Sequence, residues 1–217
     1  MVAIIIPIYK SRDTLPTALD SLVSQTKKTF MVIPSIDGDG ENYDDLFEEY
    51  EKRGLHIYPI YSKENCGPGI ARQRGIDAAK MCKYLMFLDA DDMLLPRAVE
   101  VLTHEIEVKN ADIVAGTFLS EQSPGIAEIY DAHEKGITWL HGKIYRREYL
   151  VENNIRFLSE FKFNEDAYFN LVAWNCSNKT YKIKESLYLW RNNQKSLTRS
   201  VTGKELQERI IGTYVQT

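Results

Sequence analysis

Cysteine is scarce in this chain: Cys66, Cys82 and Cys176 are the three among 217 residues, an odd number with no Cys-x-x-Cys pair. That argues against a disulfide framework and a structural zinc site, and makes a reducing cytoplasm the default location. Positive charge is not in excess either. With 27 Lys+Arg against 31 Asp+Glu the formal charge is -4, so there is no basic field to hold a phosphate backbone by counterion release, and nucleic acid is disfavoured as a partner. Long apolar runs are also missing. The run at residues 2–8 has no basic leader and falls far short of the ~20 residues that span a bilayer. No signal peptide or transmembrane helix is expected, and a peripheral contact with a membrane stays open. Neither an internal repeat nor a low-complexity tract is present. The chain has no Gly-x-Ser-x-Gly elbow, no His-Glu-x-x-His and no Gly-Lys-Ser/Thr phosphate loop.

What is there is 44% hydrophobic and 27% charged, the profile of one compact domain. Its first half alternates between two kinds of segment. Strands are expected at 2–8, 30–36, 56–61 and 83–88, the first of them apolar on both faces as in a buried parallel strand. Helices are expected at 14–25, 43–53, 69–81 and 96–109, with Pro16 in the first turn of one and Gly54 closing another. Such alternation predicts an α/β fold, a mostly parallel sheet covered by helices on both faces. After Ala111 the rhythm breaks: a strand at 112–119, an irregular aromatic-rich stretch, a helix at 164–174 and a strand at 180–190 read as a cap walling a cleft. In open α/β sheets ligands bind beyond the carboxyl ends of the strands, which points to the loops after Ile8, Ile36, Tyr61 and Leu88.

The fourth strand runs into Asp89-Ala90-Asp91-Asp92. In extended chain Asp89 and Asp91 share a side, and oxygen ligands at this density suit a hard cation, Mg²⁺ or Mn²⁺. The bland alternative has Asp92 capping the next helix and the others solvated. After the third strand comes Asn65-Cys66-Gly67-Pro68-Gly69-Ile70-Ala71-Arg72-Gln73-Arg74. Its glycines and helix start can approach anionic oxygens, and Arg72 can pair with phosphate. Asp37-Gly38 ends the second strand, where Asp37 is either a turn residue or an acceptor for a base or ribose. Glu165-Asp166 opens a helix, as dipole partners or as a catalytic base. Residues 190–199, with Arg191 and Ser196, form a polar cationic loop able to close over phosphates. His141 reads as a packed or surface histidine.

Together these segments resemble the family 2 glycosyltransferases of GT-A fold. The likeness rests on Ile-Ile-Ile-Pro-Ile-Tyr at 4–9, Asp37-Gly38, Asn65 to Gly75, Phe87 to Asp92, Gly142-Lys143-Ile144-Tyr145-Arg146-Arg147, Glu165-Asp166 and residues 188–198, in that order. Two departures, Lys10 and Ile36, fall near the base pocket. The resemblance implies a Rossmann-like sheet with a smaller acceptor-side cap in one domain over 1–217. Residues 1–110 would bind the nucleotide sugar and 111–200 face the acceptor, while 201–217 would form a helix or begin a further region. It implies inverting transfer from a nucleoside-diphosphate sugar, UDP first among candidates, to a glycan, lipid-linked or other hydroxyl acceptor. Asp91 would hold Mn²⁺ or Mg²⁺ with Asp89 and Asp92 nearby, Asp89 the ribose and Asp37 the base. Pro7, Tyr9, Asn65, Gly67, Arg72, Ala90, Lys143, Arg191 and Ser196 would line the donor. Asp166 would be the base and Glu165 a positioning acid. Two other readings are a sugar nucleotidyltransferase, disfavoured because no Gly-rich loop follows the first strand, and a catalytically inactive carbohydrate-binding scaffold.

Overall fold

In the computed structural model the described residues are 1–130, 138–161 and 164–193. The loop at Ser196 and the C-terminal segment 201–217 lie outside them. The strands are β1 (Val2–Ile8), β2 (Phe30–Asp37), β3 (Ile60–Ser62), β4 (Tyr84–Phe87), β5 (Met93–Leu94), β6 (Ile113–Ser123), β7 (Ile126–Tyr130), β8 (Lys143–Arg146) and β9 (Thr180–Trp190). The helices are α1 (Leu15–Val23), α2 (Asp44–Lys52), α3 (Pro68–Ala78), α4 (Ala98–Val108), α5 (Arg147–Glu152) and α6 (Glu165–Asn175). One mixed sheet orders the strands β3-β2-β1-β4-β8-β6-β9-β5, with β7 added to β6.

The expected alternation builds the parallel block β3-β2-β1-β4. Its third strand is shorter than the sequence pattern implies. Pro59, without an N–H, interrupts the stretch, leaving an isolated Val32–Ile57 bridge ahead of the regular pairing. Beyond β4 the sheet is mixed: β8 runs antiparallel to both β4 and β6, β9 parallel to β6, and β5 antiparallel to β9. Strands β5, β7 and β8 and helix α5 were not among the expected elements.

β1 divides the interior into two cores. Val2, Ile4, Ile6 and Ile8 face α1, α2 and α4, while Ala3 and Ile5 face α3, α5 and α6. Gly75 lets α3 lie close on β1, since a Cβ there would stand 2.4 Å from Ile5 Cγ2. Of the three cysteines, Cys82 is buried and Cys66 and Cys176 are exposed, none of them in a disulfide.

Two pairings build the functional rim. Because β8 opposes β4, its leading end lies beside the trailing end of β4, with Leu85 opposite Tyr145. That carries His141, two residues ahead of β8, to the carboxylates after β4. On the other side, β5 pairs with β9 with Leu94 opposite Tyr188, so the Tyr188 ring comes in beneath the same carboxylates. No described helix is long and apolar enough to cross a membrane.

Candidate active site

β4 ends at Phe87, and residues 89–92 form a turn in which the Asp92 N–H donates to the Asp89 carbonyl at 3.1 Å. The alternation that would place Asp89 and Asp91 on one side therefore does not apply. Asp91 turns toward β9 and accepts from Asn193 Nδ2 at 2.9 Å. Asp89, Asp92 and His141 converge instead, with ligand atoms all within 4.8 Å of one another. His141 Nε2 lies 3.8 Å from Asp89 and 3.9 Å from Asp92. Its ring stacks on Tyr188 at a centroid distance of 4.4 Å, and its buried Nδ1 has no hydrogen-bond partner among the described residues. Asp92 does not cap α4, whose N-cap is Arg97. It accepts from Tyr188 Oη at 2.6 Å and from the Arg191 N–H at 2.8 Å, while the Asp89 N–H donates to the same Tyr188 oxygen at 3.2 Å. Tyr188 thus pins both ends of the turn.

Crowding sorts the three carboxyls. Burial, then the charges of Asp89 and Asp91, push Asp92 well above the usual carboxylate range. Burial and Asp89 likewise raise Asp91. Burial works against the Asp89 carboxylate as well, but Arg72 and His141 outweigh it and hold that carboxyl below its usual range. Asp89 is also open to the cleft, its side chain 31% exposed.

Arg72 stands in a different place from the one its spacing suggested. Its side chain is 7% exposed and bridges Asp89 Oδ1 at 2.7 Å and Glu165 Oε1 at 2.9 Å. Both terminal nitrogens of the guanidinium bond carboxylates, so Arg72 ties α6 to the acid turn. Gly69 makes room for this: a Cβ there would stand 2.8 Å from Glu165 Cγ. Burial raises the Glu165 carboxyl, Arg72 opposes that and Asp166 adds to it. Asp166 beside it is half-buried. Its Oδ1 accepts the Ala167 N–H at 2.8 Å, and among the described residues its other oxygen accepts no hydrogen bond.

Asp37 is buried and its oxygens accept from Cys66 N–H at 3.1 and 3.0 Å, Gly67 N–H at 2.7 Å and Arg74 Nη1 at 2.7 Å. Three protein donors engage both carboxylate oxygens, the Cys66 N–H being shared between them. The role this geometry supports is holding the loop ahead of α3. Gly38 is required for this approach: its φ is +67°, and a Cβ would stand 2.4 Å from the Glu64 carbonyl carbon. Gly38→Ala combines left-handed strain with a backbone clash and is expected to cost at least ~2 kcal/mol. Urea denaturation checks this, and an unchanged midpoint would contradict the clamp.

Asn65 is exposed on that loop and accepts the Gly67 N–H at 3.2 Å, while Gly67 holds φ +89° as the N-cap of α3. Pro7 is the half-buried penultimate residue of β1, and Tyr9 just beyond the strand is 46% exposed. Ala90 is buried inside the acid turn. Lys143 is not on the cleft surface: it is 2% exposed, its ammonium donates to the Trp139 carbonyl and to Asn170 Oδ1, and burial lowers it to about 7.

The family model described as Glycosyl transferase family 2 matches residues 3–163, most of the chain and the whole acid turn. The chain belongs to glycosyltransferase family 2. Within this family it is 31% identical to the uncharacterized glycosyltransferase EpsJ of Bacillus subtilis (strain 168), over 91% of this chain and 63% of that protein. It is 24% identical to the poly(ribitol-phosphate) beta-N-acetylglucosaminyltransferase TarP of Staphylococcus aureus (strain N315), over 84% of this chain and 60% of TarP. The chain thus spans somewhat less than two thirds of the length of these relatives. In fold it matches S. aureus TarS 1-349 in complex with UDP-GlcNAc, with a TM-score of 0.79 at 23% identity, covering 90% of this chain and 59% of that one. The sequence placed His141 as a packed or surface histidine and Tyr188 at the head of the last matching segment, without foreseeing their meeting at the acid turn, and Asn170 was not singled out. The available signal was aromatic density: Trp139, Tyr188 and Trp190 all lie within 5.8 Å of the His141 ring centroid.

Proposed function

We propose that this family 2 chain is the catalytic unit of a transferase. It moves a sugar from a nucleoside-diphosphate sugar, of the UDP class, to an acceptor hydroxyl with inversion. Residues 1–110 form the donor half and residues from 111 onward the acceptor half. The observation that carries this reading is the Arg72 bridge, which fastens α6 and its half-buried Asp166 to the acid turn at one rim of the sheet. The complex of TarS with UDP-GlcNAc supports a UDP-sugar donor.

Asp89, Asp92 and His141 suit a divalent cation, with two carboxylates and an imidazole nitrogen as donors, a set that favours Mn²⁺ over Mg²⁺. Held there, such an ion supplies positive charge against a departing diphosphate. The chain's own groups do the rest. Asp89, open to the cleft, faces the donor. Tyr188 and the Arg191 N–H fix Asp92. Asp166 accepts the acceptor hydroxyl's proton at its unpaired oxygen, and Glu165 positions it through Arg72.

The test is a panel of UDP-, GDP- and dTDP-sugars with and without Mn²⁺, read by release of nucleoside diphosphate and by calorimetric binding. Metal-dependent binding and release are expected from a UDP-sugar, and both should be lost in a combined Asp89→Ala, His141→Ala variant. If no sugar nucleotide bound or turned over, the reading would fail.

A further inference from the structure

Asn170 lies one helical turn past Asp166 on α6 and is 2% exposed. Its Nδ2 donates to the Asp166 carbonyl at 2.9 Å and to the Thr138 carbonyl at 2.8 Å. Its Oδ1 accepts from Tyr145 Oη at 2.6 Å and from Lys143 Nζ at 3.2 Å. A carboxamide has two donor hydrogens and two lone pairs, and here all four are engaged. An apolar side chain of similar volume would leave the buried Lys143 ammonium and Tyr145 hydroxyl without this acceptor. What the amide adds is direction: it fixes the rotation and height of the first turn of α6. Three of its four partners, Thr138, Lys143 and Tyr145, belong to β8 and its lead-in. That segment also carries His141 to the acid turn, and β8 is paired on both sides, to β4 and β6. One braced strand therefore grips both ends of the reaction centre.

Resting on the transferase reading, we infer that Asn170, with Lys143 and Tyr145, is a positioning residue: it sets the Asp166 carboxylate against the acid turn and governs proton acceptance from the acceptor, leaving donor binding alone. On the donor side the acid turn is pinned by Tyr188, and the loop ahead of α3 by Asp37. A displacement of the base by about 1 Å is enough to lower turnover by up to ~100-fold.

The test compares Asn170→Leu and Tyr145→Phe with the wild type, each also combined with Asp166→Asn. Calorimetry measures UDP with Mn²⁺, and steady-state kinetics separate kcat from the donor KM. In both single variants kcat should fall at least ~10-fold while the UDP dissociation constant and donor KM stay within about twofold. On the Asp166→Asn background neither substitution should lower kcat further, because the group being positioned is already gone. Parallel loss of donor affinity, an additive loss on that background, or unchanged kcat each overturns the inference. Tyr145→Phe removes a single hydroxyl and carries the test if Asn170→Leu fails to fold. A wild type that neither binds nor turns over any sugar nucleotide defeats the transferase reading and this inference together. An active wild type matched by Asn170→Leu defeats the inference alone.

Discussion

Replacing Arg72 by methionine is expected to destabilise the protein by about 3–5 kcal/mol, the penalty for leaving buried charge without its partner. Methionine matches the length and fills the volume, so the loss reports the ion pairs and little else. Two carboxylates are affected: Glu165, 10% exposed at its side chain, and Asp89. Arg72→Lys should recover little of the loss, because one ammonium does not reproduce a planar fork that reaches two acids at 2.7 and 2.9 Å. The effect carries a pH signature. The Asp89 carboxyl is held below its usual range in the folded protein, so its contribution to stability is present above the unfolded value of about 4 and disappears as pH falls through the lower folded value. Methionine removes the main counter-charge, so wild type and variant should differ most at neutral pH and converge in acid. Denaturant titrations at pH 7 and below pH 4 make the comparison. A gap under 1 kcal/mol at pH 7, or one that does not change with pH, would remove Arg72 from this role.

Asp166→Asn is expected to act on chemistry instead of folding, lowering kcat by roughly 10²- to 10⁴-fold, the range for loss of a general base. The amide keeps the size of the carboxylate, and its oxygen can still accept the Ala167 N–H that now bonds Oδ1 at 2.8 Å. UDP binding and thermal stability should therefore stay near wild type. Glu165→Gln gives the contrast: it weakens the Arg72 bridge, so stability should fall along with activity. Kinetics and melting curves on the pair separate the two acids that stand side by side in the sequence. A turnover of Asp166→Asn within tenfold of wild type would exclude it as the base.

The parallel half of the sheet was legible because β1, β2 and β4 are apolar on both faces and each is followed by a helical pattern. β8 was not, since four residues leave too short a period to read, and β7 was not because its side chains are largely exposed. The region of the site was legible as acids beyond a buried strand, yet its partition was not. Strand alternation was carried one turn too far, past Phe87, so the meeting of Asp89 and Asp92 with His141 was not foreseen. Arg72 looked like a surface cation that could reach a phosphate, and Lys143 like a residue lining the donor. Their partners, Glu165 for one and Asn170 for the other, lie 93 and 27 residues downstream, and spacing alone does not reveal contacts made by folding. Asp37 was read as an acceptor, which it is, but its donors are Cys66, Gly67 and Arg74.

The Asp37 clamp leaves the Cys66 thiol exposed on the very loop whose backbone it fixes, while Cys176, the other exposed thiol, caps the far end of α6. Cys82 is buried and shielded from labelling reagents. The natural chain therefore carries a ready-made pair of attachment points, one on the loop ahead of α3 and one about 15 Å along the helix axis from the candidate base. Paired spin labels on these two thiols make a molecular ruler between the two walls of the cleft, with no cysteine added.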